Sequence, residues 1–235
     1  PPCPRAGSTA GLAVRASTDP RSARPGPGRQ QAIYAAGVSL PEAVPSVFAR
    51  ALDGLHAALQ DCQRPGILAL REVPAPKRLA PYAVAVAAEI CRGEDEVASG
   101  RLVVLHDPQG QEGWRGDTRV VAFVSAEVEP EMAADPALSE VGWSWLSEAL
   151  AARGAAHTAA GGTVTRTVSA TFGQLSEPDE TSEIEVRASW TPLHDLTGQL
   201  DLATHLRAWC DLLCATAGLP PKGVASLGER SERAR

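Results

Sequence analysis

The stretch Leu102–Gly154, LVVLHDPQGQEGWRGDTRVVAFVSAEVEPEMAADPALSEVGWSWLSEALAARG, decides the fold that we expect for this chain. Its hydrophobic pattern predicts a strand, a polar glycine-rich loop, a second strand, a turn and an amphipathic helix. Asp135 and Pro136 suit the start of that helix, and Gly154 suits its left-handed C-terminal cap. We expect the buried face of the helix to carry Leu138, Val141, Gly142, Trp145 and Ala149, with Trp143 on the opposite side and Leu150 near it.

Regular elements are predicted on both sides of this stretch. An apolar stripe at helical spacing predicts a first helix over Pro45–Cys62, and a similar stripe predicts a last helix that ends at Gly218. Alternating or apolar runs predict strands at 67–73, 82–91, 97–106, 118–128, 163–172 and 183–190. The order α-ββββ-α-ββ-α predicts an α+β fold in which helices cover one face of an antiparallel sheet. This order is similar to that of the type III secretion chaperone fold.

Composition divides the chain into three parts. Residues 1–43 are rich in Pro, Gly and Arg and are predicted to form a disordered tail, because they have too little apolar surface to offset the entropy of ordering. Residues 44–221 are predicted to form a single α+β domain, and residues 222–235 a flexible polar tail. No apolar run approaches the roughly 18 residues that a membrane span requires.

The charge is unevenly distributed and limits the expected partners. Of the net charge of −6, residues 1–30 contribute +4 and residues 218–235 contribute +2, which leaves −12 on residues 31–217. A domain this acidic would repel a phosphate backbone, so nucleic acid is an unlikely partner. Five Cys residues without a framework spacing indicate reduced thiols and a cytoplasmic location.

A long run of the chain carries a family resemblance. This run is HDPQGQEGWRGDTRVVAFVSAEVEPEMAADPALSEVGWSWLSEAL, with VPAPKRLAPYAVAV before it and GTVTRTVSATFG and EVRASWTPL after it. It resembles the actinobacterial domain-of-unknown-function family 3000 from about Val44 to Pro221. The resemblance implies a cytoplasmic bacterial protein. It provides no functional residues, because the family has no established activity.

One hairpin loop contains the residues that most resemble an acid–base cluster. His106 and Asp107 are adjacent there, and Glu112 follows in the same loop. A His beside a carboxylate could relay protons in a small hydrolase-like enzyme. Asp followed by Pro and Gly is also an ordinary turn sequence, and no nucleophile motif is adjacent. We therefore prefer a non-catalytic function and keep an enzyme with its site in this loop as the alternative.

No metal or cofactor site is predicted. Cys210 and Cys214 are four residues apart on one helical face and could supply half of a metal site, but buried free Cys is commonly a small core residue. Glu127, Glu129 and Glu131 alternate and could bind a cation, but a solvated acidic rim is the favoured interpretation because no second ligand cluster is evident.

Two Trp residues indicate a binding surface. Trp114 lies in a polar loop, and Trp143, with Leu150 near it, is expected on the outward side of its helix. Exposed Trp often marks an interface. We therefore predict a non-catalytic protein-interaction or chaperone-like domain whose partner is a protein, including a second copy of the chain in a homodimer.

Arg166 shares a strand row with Val164, Val168, Ala170 and Phe172, so the pleat is expected to direct its guanidinium toward the covered face. A buried guanidinium keeps its charge and requires a partner. The sequence therefore predicts a buried ion pair of Arg166 with Glu129, Glu131 or Glu148. The alternative is that the helix layer ends there and the side chain reaches water.

Overall fold

A computed structural model describes residues 44–170 and 181–219. The predictions for residues 1–43, 171–180 and 222–235 lie outside the described residues. The helices are α1 (Ser46–Cys62), α2 (Pro130–Ala134), α3 (Leu138–Ala152) and α4 (Leu202–Thr216). The strands are β1 (Leu68–Val73), β2 (Tyr82–Arg92), β3 (Asp95–Gln111), β4 (Gly116–Glu127), β5 (His157–Ser169) and β6 (Thr181–Pro192), and a 3-10 turn spans Glu112–Trp114.

All six strands form one antiparallel sheet in the order β1-β2-β3-β4-β6-β5. The α+β class and the antiparallel pairing are as predicted. Short polar connections allow successive strands to pair as hairpins, whereas α2 and α3 connect β4 to the far edge of the sheet. The chain returns from β5 into the space beside β4, so β5 forms one edge of the sheet and β1 the other.

The large helices pack on one face of the sheet. The indole of Trp209 in α4 lies against Gly100 of β3, where an added methyl group would come within 2.8 Å of the ring. Gly142 of α3 brings that helix close to Ile184 and Val164, since a methyl group there would lie 3.0 Å and 3.2 Å from their side chains. The missing side chains at the two glycines allow α3 and α4 to approach the sheet closely.

The phase of α3 differs from the prediction. Its buried residues are Leu138, Gly142, Leu146, Ala149 and Leu150, whereas Val141 is 40% exposed and Trp145 is half-buried. The helix is rotated because Gly142 gives the closest approach to the sheet, and residues at i+4 and i+8 from it follow on the same face. The prediction that Val141 is buried was therefore wrong.

The opposite face of the sheet is not covered by any described helix; we call it the open face. Part of this face is nevertheless buried, since Ala85 of β2 and Leu105 of β3 lie on it and are 0% and 5% exposed. Val103, Val121 and Phe123 lie at its centre, in neighbouring positions of β3 and β4. Val121 is 39% exposed, which is unusual for a Val at the centre of a six-stranded sheet.

None of the described helices is long and apolar enough to cross a membrane.

Candidate functional site

His106 belongs to the core. Its side chain is 3% exposed, and its ring stacks on Phe48 of α1 with a centroid separation of 4.6 Å and an interplanar angle of 6°. Burial lowers the pKa of His106 below its usual value, so the ring is neutral near pH 7. A stacked, buried imidazole is poorly placed to meet a substrate.

Asp107 and Glu112 do not join His106 in a cluster. Consecutive residues of a strand project to opposite faces, and Asp107 follows His106 directly in β3. The Asp107 carboxylate accepts hydrogen bonds from the Gln109 amide at 3.1 Å and from Gln111 Nε2 at 3.2 Å. Asp107 therefore caps the turn, and Glu112 is exposed at the start of the 3-10 turn.

His106 instead ends a chain of polar contacts that local patterns do not predict. His106 Nδ1 lies 2.9 Å from Thr118 Oγ1, and the Thr118 hydroxyl donates to Asp117 at 2.8 Å. Because that hydroxyl proton goes to Asp117, His106 Nδ1 carries a proton and donates to Thr118. Asp117 also binds His194 Nε2 at 3.0 Å, although the two residues are 77 positions apart.

His194 is held as a cation. Its Nδ1 lies 3.2 Å from the Gly198 carbonyl and its Nε2 faces Asp117, so both nitrogens must donate. Burial opposes the charge on each partner. The hydrogen bonds and the opposite charges outweigh the effect of burial. The pKa of His194 therefore lies above its usual value, and the pKa of Asp117 lies below its usual value. Since neither His194 nitrogen is free to accept a proton, the arrangement is a structural ion pair between β4 and the β6–α4 loop.

The acidic residues at the end of β4 do not converge. Glu127 ends β4, Glu129 precedes α2 and Glu131 lies within α2. Within residues 44–170 and 181–219, no group of three His, Cys, Asp or Glu side chains is placed to hold a metal ion.

The interface candidates have different environments. Trp114 is half-buried in the 3-10 turn, and its carbonyl accepts a hydrogen bond from the Thr191 hydroxyl. Trp143 is half-buried against Gly162 of β5, so it faces the sheet edge rather than the outward side of α3. Leu150 is 1% exposed within the core. Leu150 therefore cannot contact a partner, and the prediction that it is an interface residue was wrong.

Arg166 is exposed on β5, and its Nη1 donates to the carbonyls of Ala133 at 2.9 Å and Asp135 at 2.7 Å. These carbonyls lie at the C-terminal end of α2. In the described part of the chain no carboxylate pairs with Arg166, so the predicted buried ion pair was wrong. The reason is that β5 is an edge strand at the limit of the helix layer.

A cavity of about 530 Å³ opens between α1, α3 and α4. It is lined by three thiols, three guanidinium groups and the indole of Trp145, among others. The thiols belong to Cys62, Cys210 and Cys214, and the guanidinium groups to Arg64, Arg153 and Arg207. Sequence reasoning identified only the Cys210 and Cys214 pair, because Cys62 is distant along the chain and lies on another helix.

Ion pairs order the mouth of this cavity. Arg153 binds Asp211 through two hydrogen bonds of 2.5 Å and 2.8 Å, and Arg207 Nη2 lies 3.0 Å from Asp61 Oδ2. These contacts tie α3 to α4 and α4 to α1. The guanidinium groups are therefore held in fixed positions near the thiols.

The three thiols differ in accessibility and acidity. Cys62 is half-buried, whereas Cys210 and Cys214 are buried. A hydrogen bond from the Cys210 thiol lowers the pKa of Cys62 to about 7, with burial opposing this effect and the charges of Arg207 and Arg153 adding to it. The pKa of Cys210 is raised by its hydrogen bond to Cys62 and by burial. Burial also raises the pKa of Cys214.

Comparison with known proteins gives one result. No curated protein and no solved structure matches the chain. A family model described as "Protein of unknown function (DUF3000)" matches residues 44–225, which cover all of the described elements. The chain therefore belongs to the domain-of-unknown-function family 3000.

Proposed function

We propose that this chain is a non-catalytic protein-interaction domain that self-associates through its open face. The observation that carries the proposal is the one-sided packing of the sheet: α3 and α4 contact one face, while Val121 at the centre of the other face is 39% exposed. A partly apolar face that no described helix covers is typical of an interaction surface.

The centre of the open face offers an apolar contact with a polar rim. Val103 faces Val121 across β3 and β4, and Phe123 lies one row further along β4. The guanidinium of Arg187 lies over the Phe123 ring, 5.4 Å from its centroid. Protein interfaces commonly combine such an apolar centre with aromatic and Arg side chains.

A depression beside this centre gives the face a shape that a partner side chain can fill. It has a volume of about 450 Å³ and lies where β4, β6 and β5 meet. Gly161 opens toward it, since a methyl group at this position would meet no atom within 4 Å. An apolar side chain of a partner can therefore enter next to Val121 and Phe123.

Charge favours a second copy of this chain as the occupant. Residues 31–217 carry a charge of −12, so two copies repel each other across most of their surfaces. On the open face, in contrast, charges of both signs occur, and two pairs of opposite charge are formed within the face. Arg71 lies 2.6 Å from Glu89, and Arg187 lies 2.7 Å from Glu185. A face with internally paired charges can meet its own copy about a two-fold axis.

The area of the open face is also close to that of a protein–protein interface. Over the eight residue pairs that join β4 to β6, six strands about 4.8 Å apart span a rectangle of about 650 Å². This area approaches the roughly 800 Å² that each partner contributes to a standard interface.

The other functions receive less support. A chaperone-like domain would use an apolar face for client chains, but the paired charges of the open face favour a second copy. A hydrolase at His106 and Asp107 is disfavoured, because His106 stacks on Phe48 in the core and Asp107 caps a turn. The cytoplasmic location is also part of this proposal, and it rests on the five Cys residues of the sequence having no framework spacing.

Sedimentation equilibrium of the full chain tests the proposal. We expect a dimer, and we expect Val121→Arg to shift the chain toward monomer because it places a charge at the centre of the interface. Val141→Arg is the matched control, since Val141 is 40% exposed but lies on α3, away from the open face. Gly161→Leu should also weaken the dimer by filling the depression.

Two results would overturn the proposal. One is a chain that stays monomeric at every concentration. The other is a dimer that Val121→Arg and Gly161→Leu leave intact. Circular dichroism and urea unfolding of each variant show whether a loss of dimer reflects a loss of fold.

A further inference from the structure

The cavity between α1, α3 and α4 joins features that the proposed interface does not use. Cys62 is the last residue of α1, and Cys210 lies in the middle of α4. Packing of the two helices brings both thiols to the wall of the same cavity, although 148 positions separate them along the chain. An accessible thiol therefore lies beside a buried one.

The surroundings favour the thiolate form of Cys62. The neighbouring Cys210 thiol lowers the pKa of Cys62 most, burial opposes this effect, and the positive charges of Arg207 and Arg153 add to the lowering. Thiolates are the reactive form of cysteine toward oxidants and electrophiles. A low-pKa, solvent-accessible Cys next to a second Cys is the arrangement typical of redox-sensitive thiol pairs.

Cys214 has a different role. Arg64 Nη1 donates to its sulfur at 3.7 Å, and the residue is buried. Its sulfur accepts a hydrogen bond from Arg64, while Cys62 and Cys210 lie on the wall of the same cavity. Cys214 is therefore not part of the Cys62 and Cys210 pair, and it can serve as an internal control for the reactivity of that pair.

We propose that Cys62 and Cys210 form a redox-active pair, in which the Cys62 thiolate reduces a hydroperoxide in the cavity and Cys210 then closes a disulfide. The cavity, at about 530 Å³, can admit an organic hydroperoxide as well as hydrogen peroxide. Arg153 and Arg207 also line this cavity, so their positive charges favour the departing oxygen anion.

The reaction has two steps. In the first, the Cys62 sulfur attacks the terminal oxygen of the hydroperoxide ROOH, an S–O bond forms and the O–O bond breaks. The departing RO⁻ takes a proton from solvent to give ROH, and Cys62 becomes a sulfenic acid. In the second, the Cys210 sulfur attacks the Cys62 sulfur, an S–S bond forms and the S–O bond breaks. The hydroxide leaves with the Cys210 proton as water.

Peroxide treatment of the reduced full chain tests this proposal. We expect hydrogen peroxide or cumene hydroperoxide to produce a Cys62–Cys210 disulfide, identified by mass spectrometry of peptides among the five cysteines of the chain. Dithiothreitol should reverse it. Faster reaction with cumene hydroperoxide would assign the cavity to organic hydroperoxides, and faster reaction with hydrogen peroxide would assign it to hydrogen peroxide.

Three variants separate the roles of the thiols. Cys210→Ser should trap Cys62 as a sulfenic acid that dimedone labels, because the resolving thiol is missing. Cys62→Ser should abolish both the disulfide and the label, and Cys214→Ser should behave like the parent chain. Since Cys210 is buried, Cys210→Ala is tested in parallel, and circular dichroism reports the fold of each variant.

The proposal is overturned if Cys62 and Cys214 react at equal rates, or if oxidation of the folded parent chain leaves Cys62 and Cys210 unlinked. Neither result depends on the oligomeric state, so the test is independent of the proposed interface.

Discussion

The indole of Trp143 lies on the bare backbone of Gly162. A methyl group at Gly162 would come within 2.9 Å of Trp143 Cζ3, and within 2.1 Å of the Arg187 carbonyl oxygen on β6. The position therefore accepts only a hydrogen atom, and it fixes the separation of α3, β5 and β6. The adjacent Gly161 has no such restriction, because a methyl group there meets nothing within 4 Å.

These neighbouring glycines give the first prediction. Gly162→Ala should lower the free energy of unfolding by about 2 kcal/mol or more, because overpacking against backbone forces β5 or β6 to move. Gly161→Ala should change it by about 0.5 kcal/mol or less. Urea unfolding followed by circular dichroism measures both values, and equal values for the two variants would contradict the packing described here.

The rotation of α3 gives the second prediction. Leu146 is 1% exposed, whereas Val141 is 40% exposed. Leu146→Ala should therefore lower the free energy of unfolding by about 2–5 kcal/mol through loss of buried surface and creation of a cavity. Val141→Ala should have an effect within about 0.5 kcal/mol. If the Val141 variant were the less stable of the two, the buried face assigned from the sequence would be correct instead.

Sequence patterns predicted the elements of this fold well and their tertiary contacts poorly. Alternation in β6 identified the strand and its buried residues, since Ile184, Val186, Ala188 and Trp190 are all buried. Hydrophobic periodicity did not predict the buried face of α3 correctly, because apolar residues lie on several sides of that helix. In addition, Gly142 rather than a large side chain makes the closest approach to the sheet.

The candidate sites were less predictable than the fold, because their members come from distant parts of the chain. The pairs Asp117–His194 and Cys62–Cys210 are each formed by residues on separate elements. No local spacing relates them, and only the order of the strands and the packing of the helices bring them together. His106 and Asp107 are adjacent in sequence, yet the pleat of β3 separates them.

His205 gives the third prediction, which concerns acid. The Trp190 indole Nε1 donates to His205 Nδ1 at 3.1 Å, and both residues are buried. Burial and the charge of His157 lower the pKa of His205 to about 4. Above pH 6.5 the ring is neutral in both states, so the group adds no pH dependence. Between pH 6.5 and 4 only the unfolded chain takes up the proton, and stability falls by up to about 3 kcal/mol.

Urea unfolding at a series of pH values compares the parent chain with His205→Asn, in which the amide oxygen replaces Nδ1 as the acceptor. The variant should lose less stability than the parent chain between pH 6.5 and 4, whatever its stability at neutral pH. Parallel curves for the two chains would show that His205 is not the titrating group.

The ion pair between His194 and Asp117 gives the last prediction. The pKa of His194 is raised, so its contribution to stability is fully present below pH 6.5 and is lost as the pH rises through the folded-state pKa. The pKa of Asp117 is lowered, so the same ion pair is also lost as the pH falls through the folded-state pKa of that carboxyl. The pair should therefore stabilise the fold most in mildly acidic solution.

A double-mutant cycle with His194→Gln and Asp117→Asn measures this effect, because the cycle removes the separate contributions of each residue. The coupling free energy from urea unfolding should be larger at about pH 5.5 than at about pH 9, because the contribution of His194 is lost as the pH rises through its raised pKa. The imidazole resonances of His194 should also titrate above pH 6.5 in the parent chain and at lower pH in Asp117→Asn. A coupling free energy that is equal at both pH values, together with an unchanged titration of His194, would show that Asp117 does not hold the charge.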